Sequence, residues 1–97
     1  MRERDIEKHL VQCVKELGGE VRKVQWIGRR GAPDRIVMVP HGCRSGHNSS
    51  IKTFWVELKA PGVPPEPHQI REHKRMRKMG QRVAVIDSLE GVEELLR

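Results

Sequence analysis

The chain lacks the marks of a secreted or membrane-spanning protein. It has only two cysteines, Cys13 and Cys43, and no apolar run that approaches the roughly 20 residues of a membrane helix. The N-terminal segment MRERDIEKHL is charged throughout and has no apolar centre of the kind found in signal peptides. We therefore expect an intracellular protein that is not attached to a membrane and whose cysteines remain thiols without a disulfide.

Aromatic residues are also scarce, with two tryptophans, one phenylalanine and no tyrosine. This composition argues against a platform of aromatic side chains on which the bases of single strands would stack. What the chain has in excess is positive charge, because 19 Lys and Arg face 13 Asp and Glu, a net charge of +6. Such an excess favours a polyanionic partner, nucleic acid ahead of a membrane surface, although charge can also serve only solubility.

A length of 97 residues allows one modest core, so we expect a single domain spanning 1–97. Apolar residues recur at helical spacing from Glu3 to Leu17, and Gly18-Gly19 predicts the end of this helix. Glu7 falls within the apolar stripe of the helix. The pattern leaves two interpretations of Glu7 open: a functional carboxylate, or a residue at the rim of the core that reaches water or pairs with an arginine.

Three strands, a helix, a strand and a final helix follow. The strands are expected in EVRKVQWI, RIVMVP, TFWVELKA and RVAVID, the helices from about Glu66 to Met79 and after Ser88, which suits a helix cap. The order is therefore α-β-β-β-α-β-α, and the helix between the last two strands predicts a parallel crossover. Residues 41–51 are rich in Gly, Ser and His and are expected to form an exposed, mobile loop. Its His41, Cys43 and His47 fall short of the four ligands of a structural zinc site, which we do not predict.

The segment WVELKAPG, residues 55–62, places opposite charges on a strand that otherwise looks buried. Alternation puts Val56 and Leu58 on one face and Glu57 and Lys59 on the other. A buried charge persists only when it is paired or bound to a metal ion, so both residues would need partners. A solvated edge strand is the other interpretation that this pattern permits.

Pro33-Asp34 before one core strand and Glu57-Leu58-Lys59 on the next resemble the motif of the PD-(D/E)XK nuclease superfamily. Within it the chain resembles the VRR-NUC domain, which occurs in stand-alone phage and bacterial proteins. The likeness covers nearly the whole chain, with Glu7 on the first helix, GAPDRIV, VELKAPG and PHQIREH. It implies an α/β fold with a restriction-endonuclease-like core, in which helices flank a mixed central sheet.

The resemblance also implies a catalytic set: Glu7, Asp34, Glu57, Lys59 and Gln69. Asp34, Glu57 and the backbone carbonyl of Leu58 would bind Mg²⁺ or Mn²⁺, which prefer oxygen ligands. Lys59 would orient or deprotonate a water molecule, Glu7 would bind a second ion directly or through water, and Gln69 would orient Lys59 or a metal-bound water. His73, one turn beyond Gln69, is left outside this set.

The expected activity is metal-dependent hydrolysis of duplex or branched DNA by a structure-selective endonuclease, with four-way (Holliday) junctions as a candidate substrate. The alternative is a catalytically silent basic module that binds nucleic acid for a partner enzyme. Phosphates would be contacted, without reading of sequence, by basic residues around the Asp34 turn and on the second helix: Arg29, Arg30, Arg35, Arg71, Lys74, Arg75 and Lys78.

A symmetric homodimer is expected, because one chain holds one site whereas resolving branched DNA requires two cuts. The candidate surfaces for this dimer are the last helix, through Val92, Leu95 and Leu96, and the loop from His41 to Ser50.

Overall fold

A computed structural model describes residues 1–40 and 53–97. The loop from His41 to Ser50, including the zinc candidates His41, Cys43 and His47, lies outside this part of the chain. Because Cys43 lies there too, the absence of a disulfide stays a prediction. No helix in the described part is long and apolar enough to cross a membrane.

The order α-β-β-β-α-β-α is confirmed. The elements are α1 (Glu3–Glu16), β1 (Glu20–Lys23), β2 (Arg35–Met38), β3 (Thr53–Leu58), α2 (Pro67–Lys78), β4 (Val83–Ile86) and α3 (Leu89–Leu96). The first strand is shorter than expected, since it ends at Lys23 and the chain from Val24 to Asp34 forms a loop. Proline at the start of α2 suits a position where a backbone N–H has no helical partner. Ser88 caps α3 by accepting a 2.9 Å hydrogen bond from the Gly91 N–H.

The four strands form one mixed sheet in the order β1-β2-β3-β4. The β1–β2 and β2–β3 pairs are antiparallel, whereas β3 and β4 are parallel and joined through α2, which confirms the predicted crossover. Antiparallel neighbours share a face of the sheet, so the register of Val37 with Phe54 and of Arg35 with Val56 turns these four side chains the same way.

This face of the sheet packs against α1 and α3. The core is formed by Ile6, Leu10, Val14, Val37, Val39, Phe54, Val56, Leu58, Ile86, Val92 and Leu96. The other face of β3 carries Glu57, which lies near His73 of α2. Helices therefore cover both faces, and α2 covers the one on which β3 carries a charge.

The last helix does not offer the surface proposed for a dimer. Val92 and Leu96 are 0% and 3% exposed, because the apolar stripe of α3 packs against α1 and the sheet of its own chain. Leu95 is half-buried against the same core. The expectation that these residues face a partner subunit is therefore wrong for Val92 and Leu96.

A matched pair of helical valines tests this assignment. Val92→Ala should lower the free energy of unfolding by about 2 kcal/mol, since it removes two methyl groups from a filled core. Val11→Ala on α1, where the side chain is 44% exposed, should change it by less than about 0.5 kcal/mol. Urea denaturation of both variants measures the difference. Equal effects would show that Val92 is not a core residue.

Candidate active site

The sheet brings Asp34 and Glu57 together at the end of two neighbouring strands. Arg35 pairs with Val56 across β2 and β3, so the next pair in this antiparallel register is Asp34 with Glu57. Asp34 is exposed and lies directly before β2, and its carbonyl accepts a 2.9 Å hydrogen bond from the Val24 N–H. The two carboxylates predicted to act together are thus neighbours on one sheet face, with Lys59 two residues beyond Glu57.

Glu57 is withdrawn from water. The residue is 8% exposed, and burial raises the pKa of its carboxyl to about 7, with a further increase from the nearby charge of Asp34. Lys59 opposes this rise in the pKa but does not cancel it. The interpretation of this strand as a solvated edge is excluded by the burial of Glu57 and by the pairing of β3 on both sides.

His73, which lies outside the predicted catalytic set, is a neighbour of Glu57. Its side chain is almost completely buried on α2, and its Nε2 lies 3.6 Å from Oε1 of Glu57, slightly beyond hydrogen-bonding distance. This Nε2 has no hydrogen-bond partner among the described residues. Burial, aided by the positive charge of Arg77, lowers the pKa of the imidazole, which favours the neutral form beside Glu57. Its position four residues after Gln69, on the same helix face, is the feature of the sequence that could have placed it near the site.

Glu7 and Arg35 form an ion pair at the other side of the site. Oε2 of Glu7 accepts from Nε of Arg35 at 2.7 Å and lies 2.6 Å from its Nη2, while Nη1 of Arg35 lies 2.9 Å from Oδ1 of Asp34. One guanidinium thus joins two of the three predicted carboxylates. Pairing of Glu7 with an arginine is one of the two interpretations that its helical position left open, and a role as metal ligand stays a prediction.

The position of Arg35 differs from that expected of a surface contact for phosphate. Arg35 is 8% exposed and its guanidinium is occupied by carboxylates. Its alternation on β2 turns it towards α1, where Glu7 lies. The physical reason is that a charge at this buried position must be paired. Contact of Arg35 with DNA is not supported by this geometry.

Gln69 performs a structural task in this conformation. Its Oε1 accepts a 2.7 Å hydrogen bond from the Glu66 N–H, which is the backbone donor left over at the start of α2. The side chain is half-buried, one turn before His73 on the same helix face. This hydrogen bond uses only the amide oxygen, and a role of Gln69 in orienting Lys59 or a water molecule stays a prediction.

The six predicted basic residues other than Arg35 fall into two groups. Arg30, Arg71, Lys74 and Lys78 are exposed, the last three on the outer side of α2. Arg29 and Arg75 are also exposed, yet both contact Glu72, a residue that is only 2% exposed and that the sequence analysis did not select. Glu72 could have been noticed three residues before Arg75, the spacing of an ion pair on a helix.

The oxygen ligands at this site fit a hard divalent cation better than a soft metal ion that prefers thiolate ligands. Within residues 1–40 and 53–97, no group of three or more His, Cys, Asp or Glu side chains forms a ready metal cage. Mg²⁺ commonly uses only one or two carboxylates and keeps several waters, a requirement that Asp34, Glu57 and the Leu58 carbonyl could meet. Mn²⁺ accepts the same oxygen ligands. Because burial raises the pKa of Glu57, a cation bound nearby would favour the ionised form of this carboxylate.

Comparison with known proteins supports one family. No family model matches the sequence. A protein named "Putative nuclease p44", from Acyrthosiphon pisum secondary endosymbiont phage 1, is 47% identical over 88 residues, which are 91% of this chain and 85% of that protein. A solved structure described as a VRR_NUC domain superposes with a TM-score of 0.77 at 38% identity, covering 96% of this chain and 91% of the other. The fold is that of the PD-(D/E)XK nuclease class. Within that class, the chain belongs to the VRR-NUC family.

The burial of Glu57 has a testable cost to stability. Its pKa of about 7 in the folded protein lies above the ordinary value of 4.5, so the folded state holds the extra proton between these pH values. Stability should therefore fall as the pH rises from about 4.5 to about 7 and stay lower above that. Glu57→Gln should remove this loss and stabilise the protein at pH 8 by at least about 1 kcal/mol, or roughly 4 °C in Tm.

Thermal unfolding in EDTA at pH 5 and pH 8 measures this effect. The gain from Glu57→Gln should be larger at pH 8 than at pH 5. Glu94→Gln, on an exposed position of α3, is the matched control and should shift stability equally little at both values. A Glu57→Gln protein that is less stable at pH 8 would show that the buried carboxylate is well compensated.

Proposed function

We propose that this VRR-NUC protein is a metal-dependent, structure-selective DNA endonuclease, with four-way junctions among its substrates, acting inside the cell. The observation that carries the proposal is the register that sets Asp34 opposite a buried Glu57, two residues before Lys59. The phage relative named as a nuclease and the VRR_NUC structure support the same activity. A module that only binds DNA has no physical need for paired carboxylates facing a polyanion.

The division of labour follows from the chemistry of each group. Asp34, Glu57 and the Leu58 carbonyl would hold Mg²⁺ or Mn²⁺, which supplies neutralisation of phosphate charge and a more acidic water. Lys59, at the end of β3, would orient or deprotonate a water and contact the scissile phosphate. Because its backbone N–H is bound to the Ile86 carbonyl at 2.9 Å, the main chain that carries Lys59 is fixed to the sheet.

The remaining residues position these groups. Arg35 holds the carboxylates of Glu7 and Asp34 at fixed separation, and His73 lies against Glu57.

Arg30 and the outer face of α2 would bind the DNA backbone without reading bases, because their charged heads contact phosphates. This arrangement fits selection of a DNA shape rather than a sequence.

Removing single ligands should separate cleavage from binding. Asp34→Ala or Glu57→Ala should lower cleavage at least about 10³-fold in Mg²⁺ or Mn²⁺, because each removes an oxygen ligand from the ion that stabilises the reacting phosphate. Lys59→Ala should lose about 10²-fold or more while still binding Mn²⁺ in calorimetry. Wild-type cleavage should stop in EDTA and return with excess metal.

The measurement uses labelled duplex, flap, fork, four-way-junction and single-stranded DNA, with binding followed by anisotropy in EDTA. Glu94→Gln is the control and should cleave like the wild type. Affinity in EDTA should be retained in the Asp34 and Glu57 variants, since neither loses a positive charge. Full activity in either variant would remove these residues from the site. Binding without cleavage of any substrate by the wild type would favour the silent module.

We also propose that the protein acts as a two-fold symmetric homodimer, since paired cuts in a four-way junction require two sites. The buried stripe of α3 cannot supply the interface, as Val92 and Leu96 are core residues. Light scattering at micromolar concentration, with and without junction DNA, should give the mass of two chains per protein particle. A monomeric mass under both conditions would contradict the proposal. A dimer that cuts flaps and spares junctions would retain the assembly and refute the substrate.

A further inference from the structure

Glu72 is a carboxylate hidden beneath two arginines. It is 2% exposed, whereas the side chains of its partners Arg29 and Arg75 are 47% and 55% exposed. Its Oε2 accepts from Nε of Arg29 at 2.9 Å, and its Oε1 accepts from Nε and Nη2 of Arg75 at 3.0 and 2.7 Å. Hydrogen bonds from Arg29, and then from Arg75, hold the pKa of this carboxyl below its ordinary value. The group is therefore a charged triad with a net charge of +1.

The triad joins two segments of the proposed DNA surface. Arg29 belongs to the loop that leads from β1 to Asp34, while Glu72 and Arg75 belong to α2. Two further contacts fix the same loop. Nε1 of Trp26 donates to the Pro33 carbonyl at 2.8 Å. The backbone of Gly31 approaches the start of α2 so closely that an added Cβ would lie 2.7 Å from the His68 carbonyl oxygen.

The position of Glu72 also relates the triad to the candidate active site. The next residue, His73, is turned by about 100° around α2 from Glu72, and its Nε2 lies 3.6 Å from Oε1 of Glu57. Arg29 is five residues before Asp34 in a loop held at both ends. Through Glu72 and His73, α2 therefore relates the two arginines to Asp34 and Glu57, two of the predicted metal ligands.

An unpaired arginine at the surface moves among many rotamers, and ordering it on a phosphate costs side-chain entropy. Arg29 and Arg75 have already lost part of that freedom by binding Glu72. Arginine presents five N–H donors in a planar fork. Arg29 uses only its Nε for Glu72, and Arg75 uses its Nε and one N–H of Nη2. Both arginines therefore keep donors for a second acceptor. Their substantial exposure leaves them accessible to DNA.

We propose that Glu72 is a positioning residue that presents Arg29 and Arg75 as a preorganised pair of guanidinium groups for DNA backbone phosphates next to the cleavage site. This inference rests on the proposed function, because it requires a DNA substrate. According to this proposal an acidic residue, Glu72, increases the affinity of the protein for DNA, which is a polyanion. Charge alone predicts the opposite, which gives the proposal its test.

The test is Glu72→Gln, which preserves the shape of the side chain and adds one unit of positive charge beneath the arginines. If the arginines act only as charge, removing an acid should tighten DNA binding. If Glu72 positions them, affinity should fall about three- to tenfold despite the more positive protein, since the strong charge-assisted bonds that order both guanidinium groups are weakened. Anisotropy with a four-way junction and a duplex in EDTA, over a series of salt concentrations, measures this difference.

Glu94→Gln is the matched control, because it makes the same change of charge on the exposed side of α3. It should leave affinity unchanged or increase it slightly. Tighter binding by Glu72→Gln, equal to or above that of the control, would overturn the proposal. Binding is measured well below the Tm of each variant, so a loss of stability alone does not move the readout.

Arg29→Lys and Arg75→Lys keep the test independent of how well the Glu72 variant folds. Each preserves the charge but replaces the planar fork, and each should weaken binding while the net charge is unchanged. Arg29→Ala and Arg75→Ala should each reduce the salt slope by about 1, and Glu72→Gln combined with Arg29→Ala should cost less than the sum of the two. Lysine variants that bind like the wild type would overturn the proposal.

The same experiment distinguishes failure of this inference from failure of the proposed function. A wild-type protein that cleaves junctions, together with tightened binding by Glu72→Gln, would refute the positioning role and leave the nuclease intact. A wild-type protein without measurable affinity for any DNA would refute both.

Discussion

The carboxylate of Glu57 is the constraint on which the site depends. It lies on a strand paired on both sides, with His73 of α2 beside it, and burial raises its pKa to about 7. The charge of Asp34 raises the pKa of Glu57 further, and Lys59 lowers it only in part. The positive charge of Arg35 also lowers the pKa of Glu57, but the guanidinium forms its ion pairs with Glu7 and Asp34. An ionised carboxylate at this buried position destabilises the fold but is suited to binding a cation, and this conflict is typical of functional sites.

Local patterns were enough to predict the framework of this site. Helical periodicity, strand-forming residues, and cap and turn residues were enough to predict all seven elements in order, and the helix between the last two strands predicted the parallel crossover of β3 and β4. That Asp34 and Glu57 act together was expected from the family resemblance, whereas their pairing depends on the register of β2 with β3 that the structure shows. The VRR-NUC resemblance, carried by GAPDRIV and VELKAPG, agrees with the family that the relatives support.

What the sequence could not supply are contacts between distant segments. Arg35 meets Glu7 across 28 residues, and Arg29 meets Glu72 across 43. No periodicity specifies which of many arginines a carboxylate will bind, because that depends on how helices dock on the sheet. The dimer surface on α3 failed for the same reason: an apolar stripe shows that a helix is covered, but not whether its own chain or a copy covers it.

The second helix explains why these separate contacts belong to one arrangement. Successive residues of a helix are turned by 100°, so Glu72 and His73 face different neighbours while sharing one backbone. Glu72 holds the loop before Asp34 through Arg29, His73 lies against Glu57, and Gln69 secures the first turn through the Glu66 N–H. A shift of α2 along its axis would therefore disturb the loop and the buried strand together. The register of β2 with β3 makes Asp34 and Glu57 neighbours, and the contacts of α2 with the loop and with β3 support this arrangement from one side of the sheet.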